Sequence, residues 1–533
     1  MPTRTAETVP IGTETTSLVP PTSEQLDKRQ AGSPLPRPAH IGPRGFRISP
    51  MSAALKILAA TSAALLVGTP SASATDVKLT SSGLLQPAFD RATPNFVTTC
   101  VGGHIKVTVR GGTGVTSKVD SRSSVRGSLT ATVSLKPGRR TVVRITDVSG
   151  TTTHSIRCLP ADFPKVSSAG TLPASIPLFG LDDSSGRSRA DKIMDSYAII
   201  IDRHGAPIWW RKETSSFLNL FATPDGNLGF GHSGGALEIR TLRGTLVSSL
   251  APAGGDTDAH EAIPTSRGTW LMGRHISRTG ADLSSIGLGT GQKVLDSDLV
   301  EINSSGKILW SWSSAAHLAT SETIMPQITG SGNARVVDLA HANSFQEDGN
   351  GGLLASFRNT GAVYRIRLSD GSIDWKLGGT TTAQSLSFLG DTAITAERHL
   401  LGQHNVRLMP DGTITLLDNG SPLVSQGVRT ARPPRALRIQ IDPLARTATL
   451  IQTLSDPSVT SSPCCGSARL MSGGEWFVAW GGTPYVRSYD ASGNLVFALK
   501  YMNPARFTYR ATPLLASGIT EASVITGMDY LSK

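Results

Sequence analysis

Helical periodicity is scarce in this sequence of 533 residues, and so is charge: Asp, Glu, Lys and Arg make up only 17% of it. Without amphipathic helical stretches the chain cannot be a helix bundle or an alternating α/β protein. No run of like charges stands out, which excludes the basic stripe of a nucleic-acid-binding surface. The net charge is +11; the first 74 residues hold seven Lys/Arg against four Asp/Glu, and the remainder carries +8. That excess reads as a mildly basic surface, or as a basic interior that steers anionic substrates. None of the four cysteines stands at a C-x-x-C spacing, so no cysteine metal site is expected. The apolar run from Ile57 to Gly68 falls short of the ~20 residues of a membrane-spanning helix.

What the chain does have is glycine, 55 residues of it, placed as turn signals between short alternating segments. This points to an all-β protein, and the length exceeds one ordinary domain. Residues 1–50 are rich in Pro, Thr, Ser and Arg without periodicity and are expected to be disordered, or a mis-assigned extension ahead of Met51. Residues 51–74 read as a signal peptide, with Lys56, the short apolar run and the small-residue site Ala72-Ser73-Ala74. The mature chain then begins near Thr75 and is exported, either secreted or held in the cell envelope, with no stable membrane span.

Residues 75–165 contain "HIKVTVRGG", "GSLTATVSLKPG" and "RTVVRITDVSG", alternating strands with glycine turns that suggest a small β-sandwich. Cys100 and Cys158 bracket this block and are expected to be bridged. Cys464 and Cys465 are adjacent; two free thiols in a turn is the favoured reading over a vicinal disulfide.

From residue 166 to residue 533 a unit recurs. Its first hairpin appears as "NLFATPDGNLGFG", "FQEDGNGGLLAS" and "RLMPDGTITLLD", its second as "LVEINSSGKILWSW" and "YRIRLSDGSIDWKL". Four short strands per unit at a period of roughly 40–60 residues read as a β-propeller, here with six blades. Aligned on the first turn glycine, His260, His341 and His404 each stand eight residues before Gly268, Gly349 and Gly412. Equivalent positions on successive inner strands converge on a propeller axis, so three imidazoles are expected in one pocket. Asn343 follows His341 on the same strand face. Arg358 ends the returning strand of that hairpin, and Ser467 lies one residue beyond the equivalent position in the last unit. Asn419 closes the hairpin that His404 begins, where a turn role and a site role are equally open.

Three imidazoles can hold zinc with an open position, with Glu261 or Asp258 as base. Arg358 argues against this, since a fixed cation repels a divalent ion. The set also suits anion transfer: a guanidinium fork and imidazole donors hold a sulfate or phosphate group while a neutral histidine attacks it. The second reading uses every residue of the set and needs no metal or cofactor.

"AHEAIP", "LAHANSFQEDGNGGLLASFRNTG" and "GQHNVRLMPDGTITLLDNG" resemble the aryl-sulfate sulfotransferases of exported bacterial proteins, in the branch common in actinobacterial and fungal sequences. The resemblance covers about residues 180–500. It implies a six-bladed propeller behind a small β-sandwich, and transfer of a sulfuryl group from a phenolic sulfate ester to a phenol without a nucleotide donor. It implies His404 as the nucleophile that becomes a sulfohistidine, with His260, His341 and Arg358 binding and polarising the group. Asn343 becomes a supporting contact, and Ser467 matches a small hydroxyl residue. Two departures stand out. "TAITAERHLLGQ" lacks the cysteines that the family's best-known members carry before the nucleophile, and the small domain has a cysteine pair of its own. A hydrolase using water as acceptor and a non-catalytic propeller binding an anionic or cell-surface ligand are the alternatives, and a homodimer is left open.

Overall fold

A computed structural model of the chain describes residues 77–183, 196–213, 217–232, 234–393, 400–421, 432–516 and 518–533. The extension expected over 1–50 and the signal peptide expected over 51–74 lie outside the described residues. Within the described residues the chain is nearly all-β, with strands joined by turns and little helix. Its longest helix is Glu521–Leu531, and no helix is long and apolar enough to cross a membrane.

The β-sandwich at the front follows from period-two patterning. In His104–Arg110, Ile105, Val107 and Val109 are buried while their neighbours face outwards. That strand lies between Lys78–Ser81 and Leu129–Ser134 in one sheet; Asn95–Thr99, Gly150–Leu159, Arg140–Asp147, Thr116–Val119 and Val125–Arg126 form the other. Both sheets contribute to one apolar core, in which Ile105, Val107 and Val109 join Val143, Ile145 and Ile156. Cys100 and Cys158 are joined by a disulfide, with their Cα atoms 5.7 Å apart.

Among the described residues six sheets follow; five hold a meander of four antiparallel strands, with additions in some, and the first holds three to which a C-terminal strand adds. The fourth, for example, runs Ala342–Glu347, Gly352–Phe357, Ala362–Arg367 and Ile373–Gly378 in spatial as in chain order. Turn glycines such as Gly412 (φ 82°) take the left-handed backbone that tight hairpins require. The first strands of successive sheets pack side by side, the arrangement of a β-propeller. The recurrent tryptophan of the outermost strand has a packing reason: its indole N–H reaches the adjacent sheet. Trp209 donates to Leu242 O at 2.8 Å, and Trp310 donates to Leu368 O at 2.9 Å.

Both ends of this region close it. Ala511–Pro513 adds inside the first sheet, Gly180 pairing with Thr512, and Val166–Gly170 adds outside the last, on Leu495–Tyr501. A closing strand of three residues carries too little pattern to be read from sequence.

Asp202 ends a strand of the first propeller sheet, Ser196–Asp202, and is fully buried. Its carboxylate accepts from His204 N, Ala206 N and Asn95 Nδ2, and Asn95 also donates to Glu521 Oε1 at 2.6 Å. Burial raises this carboxyl to about 7; the hydrogen bonds oppose the rise and the Glu521 charge adds to it. The folded state therefore holds the proton that the unfolded chain releases near the usual carboxylate range. The contribution of Asp202 to stability is greatest in acid and declines as pH rises from about 4 to about 7, by on the order of 4 kcal/mol at most. Asp202→Asn removes that slope. Urea midpoints of the wild type and the variant, compared across this pH window, test it: parallel profiles contradict the assignment.

Candidate active site

Four of the inner strands break their register, three of them where the histidines stand. The pairing shifts between Leu218 and Phe221, Asp258 and Ala262, Ala342 and Ser344, and His404 and Arg407. Asn219, His341 and Asn405 take positive φ values of 59–62° at or beside three of these breaks, and Cys465 takes φ 65° just ahead of the last inner strand. Such bulges bend a strand and re-aim its side chains, and Asn and His are among the residues that tolerate this backbone. Residues that regular pleating would point into a neighbouring sheet are thereby turned towards the axis.

The stretch 402–405 shows what each residue does. Gly402 has φ 66°, and a Cβ there would lie 2.9 Å from Ser421 O and 3.5 Å from Arg358 Nη2. The positive φ and the close Ser421 carbonyl are what call for glycine here; Arg358 lies at ordinary contact distance. Gln403, fully buried, donates to Ser356 Oγ, Phe357 O and Ala362 O of the preceding sheet. His404 is held at Nδ1 by Gly402 O (2.7 Å) and Asn419 Oδ1 (2.9 Å). Asn419 donates its own amide hydrogens to Ser462 Oγ and Cys465 O, which fixes its oxygen towards the imidazole. Two acceptors at Nδ1 require the proton there, so Nε2 carries the lone pair. Cys465 N–H meets that lone pair at 3.2 Å. Burial holds the His404 imidazole well below its ordinary pKa; the Arg358 charge and His341 add to this, while Asn419 and Gly402 oppose it. At neutral pH His404 is a neutral, oriented base.

His260 and His341 approach with ring centroids 4.7 Å apart, and Tyr509 stands between His260 (5.3 Å) and His404 (6.3 Å). Each of the first two has a carboxylate at Nδ1: Asp258 for His260, and Asp338 for His341 at 2.6 Å. The pairing leaves Nε2 of each for a ligand, and Asp258 favours an imidazolium at His260 when an anion arrives. Burial lowers the pKa of His260 in spite of Asp258. His275, 3.4 Å from the other oxygen of Asp258, is raised to about 9 because that carboxylate outweighs burial. Side-chain exposure is 17% for His260 and 15% for His341, against 1% for the whole of His404. His260 and His341 are thus partly exposed while His404 is covered.

Arg358 reaches this group as its hairpin predicts: its N–H donates to His341 O at 2.9 Å. The guanidinium is buried, gives Nη1 to Asn359 Oδ1 at 3.0 Å and leaves Nη2 without a partner. Burial lowers its pKa to about 10, with Asp338 opposing, so it remains a cation at neutral pH. Asn343 donates to Gln403 O at 2.6 Å and so ties the backbone next to His404 to the neighbouring strand. Ser467 is placed elsewhere, its hydroxyl exchanging hydrogen bonds with Ala511 O and N of the closing strand. Cys464 and Cys465 correct an expectation: they form a vicinal disulfide rather than two free thiols. The positive φ of Cys465 belongs to a turn that brings neighbouring side chains together, which an extended strand cannot do. Among the described residues no group of three or more His, Cys, Asp or Glu converges as metal ligands do.

The family profile described as Arylsulfotransferase (ASST) matches residues 220–502, more than half of the chain. The chain belongs to the arylsulfotransferase family. No curated protein matches it. Among solved structures, a protein of unknown function from Bacteroides caccae is similar at 11% identity and TM-score 0.39, over 64% of this chain and 99% of that one. The β-propeller domain of Cps50 (Swd1) from Myceliophteria thermophila is similar at 10% identity and TM-score 0.34, over 66% and 100%. A streptogramin B lyase follows at 11% identity and TM-score 0.31, over 80% and 97%.

Several residues that shape this arylsulfotransferase site escaped the sequence reading. Asp338 comes from Val336–Asp338, a short strand in an excursion of the third propeller sheet. Tyr509 comes from the approach to the closing strand. Neither belongs to a repeated hairpin, so alignment on turn glycines passes over both. Gln403 and Asn405 stand beside His404 in the quoted motif, and the break in alternation at "GQHN" is the signal that marks them.

Proposed function

We propose that this arylsulfotransferase moves a sulfuryl group from a phenolic sulfate ester to a phenol through a sulfohistidine on His404. The observation that carries this reading is the orientation of His404: Nδ1 is locked as donor by Gly402 and Asn419, Nε2 holds the lone pair, and the charge of Arg358, whose Nη2 has no partner, acts on the ring. The donor's sulfonate oxygens meet Arg358 Nη2 and the Nε2 atoms of His260 and His341. Nε2 of His404 exchanges the Cys465 N–H for sulfur. The S–N bond forms as the S–O(aryl) bond breaks, and the phenolate leaves. The Nδ1–H bonds to Gly402 and Asn419 stabilise the positive charge that the ring acquires. An acceptor phenol then attacks sulfur, the S–N bond breaks and returns its electron pair to His404 Nε2, and the acceptor's proton passes to solvent, from which the released phenolate regains one. Sulfuryl transfer has the loose character of phosphoryl transfer, so positioning and charge supply most of the rate. Export is part of this reading, and the Cys100–Cys158 disulfide suits an oxidising compartment.

The test is release of nitrophenol from p-nitrophenyl sulfate with and without excess phenol. Release that requires phenol supports transfer; equal release without it makes the protein a hydrolase. Asn419→Leu tests the tautomer argument. It removes the oxygen at Nδ1 and the tie to Cys465, and kcat falls roughly 10–100-fold with KM little changed. An unchanged kcat removes Asn419 from the mechanism.

A further inference from the structure

Farther along the inner strands, beyond the histidines, stands a second group of buried charges. Arg407 follows His404 by three residues, Arg469 follows Ser467 by two, and Arg510 precedes the closing strand. Glu261 is the carboxylate among them. It accepts from Arg407 Nη2, from Arg510 Nη1 at 3.0 Å and from Asn219 Nδ2 at 3.2 Å. Arg510 also donates to Asn219 Oδ1 and Asn343 O, with its Nε left without a partner. Glu261 is thus taken up by two guanidiniums, and the third is left over. Arg469 makes no ion pair among the described residues, and its Nε is buried without a partner. Burial lowers its pKa well below the usual arginine value, Arg407 and Arg510 lower it further, and only Glu261 opposes them.

Arg407 and Arg469 line a cavity of about 520 Å³. Two more of its lining residues, Thr415 and Thr512, carry buried hydroxyls without hydrogen-bond partners. Native proteins rarely leave several buried donors unsatisfied in one place. The rest of the lining is largely apolar, with Met409 and Met471 among it. The His404 mechanism uses none of these groups.

We propose that this cavity is a second anion site, which takes an oxyanion carried on an apolar body. Arg469 and Arg407 bind the anion's oxygens, Thr415 and Thr512 donate to it, and the methionine side chains cover the apolar part. The site stands on its own geometry, whether or not His404 accepts a sulfuryl group.

Calorimetric titration of the full chain with hexyl sulfate tests the proposal. The wild type shows a saturable event that Arg469→Gln weakens at least about tenfold and that Arg358→Gln leaves in place. Inorganic sulfate binds the same site more weakly, because the apolar body contributes to affinity. A thermal measurement provides a second readout. An unpaired buried cation destabilises the empty protein, so Arg469→Met melts higher than wild type in buffer free of oxyanions and loses the rise that hexyl sulfate gives the wild type. Hexyl sulfate binding that is unaltered by Arg469→Gln overturns the proposal, as does the absence of any event beyond one that Arg358→Gln removes. Failure of p-nitrophenyl sulfate turnover counts only against the His404 reading.

Discussion

His404→Gln abolishes phenol-dependent release from p-nitrophenyl sulfate, by roughly 10⁵-fold in kcat, the scale on which enzymes lose a covalent nucleophile. Glutamine fills similar space and leaves hydrogen-bonding groups for Gly402 O and Asn419 Oδ1, so the loss reflects the missing Nε2 lone pair. A second measurement separates the covalent route from direct transfer. Brief incubation of the wild type with a radiolabelled aryl sulfate leaves label on the protein, stable in base and released by added phenol; the variant retains none. Activity within tenfold of wild type in the variant contradicts a sulfohistidine on this residue. Neither of the other two histidines is a ready substitute, since each is tied at Nδ1 to its own carboxylate and not to the acceptors that orient His404.

His404, His260, His341 and Arg358 were legible because hairpins repeat. Equal spacing from a turn glycine becomes equal height along an axis once strands are arranged radially, and the structure brings these four together. The environment that tunes them was not legible, for a physical reason. Asp338 and Tyr509 reach the site from segments outside the repeat, and their value lies in contacts across the fold: Asp338 Oδ2 on His341 Nδ1, and the Tyr509 ring between His260 and His404. The positive φ of His341 and Asn405 is likewise invisible to a pattern that assumes regular alternation. Ser467 shows the converse. Its place in the alignment is sound, yet its hydroxyl is engaged by the closing strand, a partner too short to be read as a strand. The sheets were easier to read than the site because period-two burial and glycine turns are local signals, whereas a site is assembled from long-range contacts.

Arg358→Met lowers kcat by roughly a hundredfold or more, about 3 kcal/mol, the effect of removing one preorganised donor to a developing anion. Its Nη2 is the buried donor left without a partner beside Gly402, so the interaction it makes is reserved for a ligand. Arg358→Lys recovers only part of the loss, because a point charge does not reproduce the guanidinium fork. The variant also carries a pH signature. Arg358 is, after burial, the next largest cause of the depressed His404 pKa. Without it the imidazole pKa rises towards the ordinary value, and protonation begins at a higher pH. Since only the neutral imidazole attacks, the acidic limb of the kcat/KM profile moves to higher pH in Arg358→Met, whereas a merely structural defect lowers the whole profile without moving it. Stability gives the third distinction. Arg358 is a buried cation whose guanidinium makes one hydrogen bond, to Asn359, so replacing it with an apolar side chain of similar length leaves Tm equal or higher. A large drop in Tm, or an acidic limb that stays in place, assigns Arg358 to the architecture instead of the chemistry.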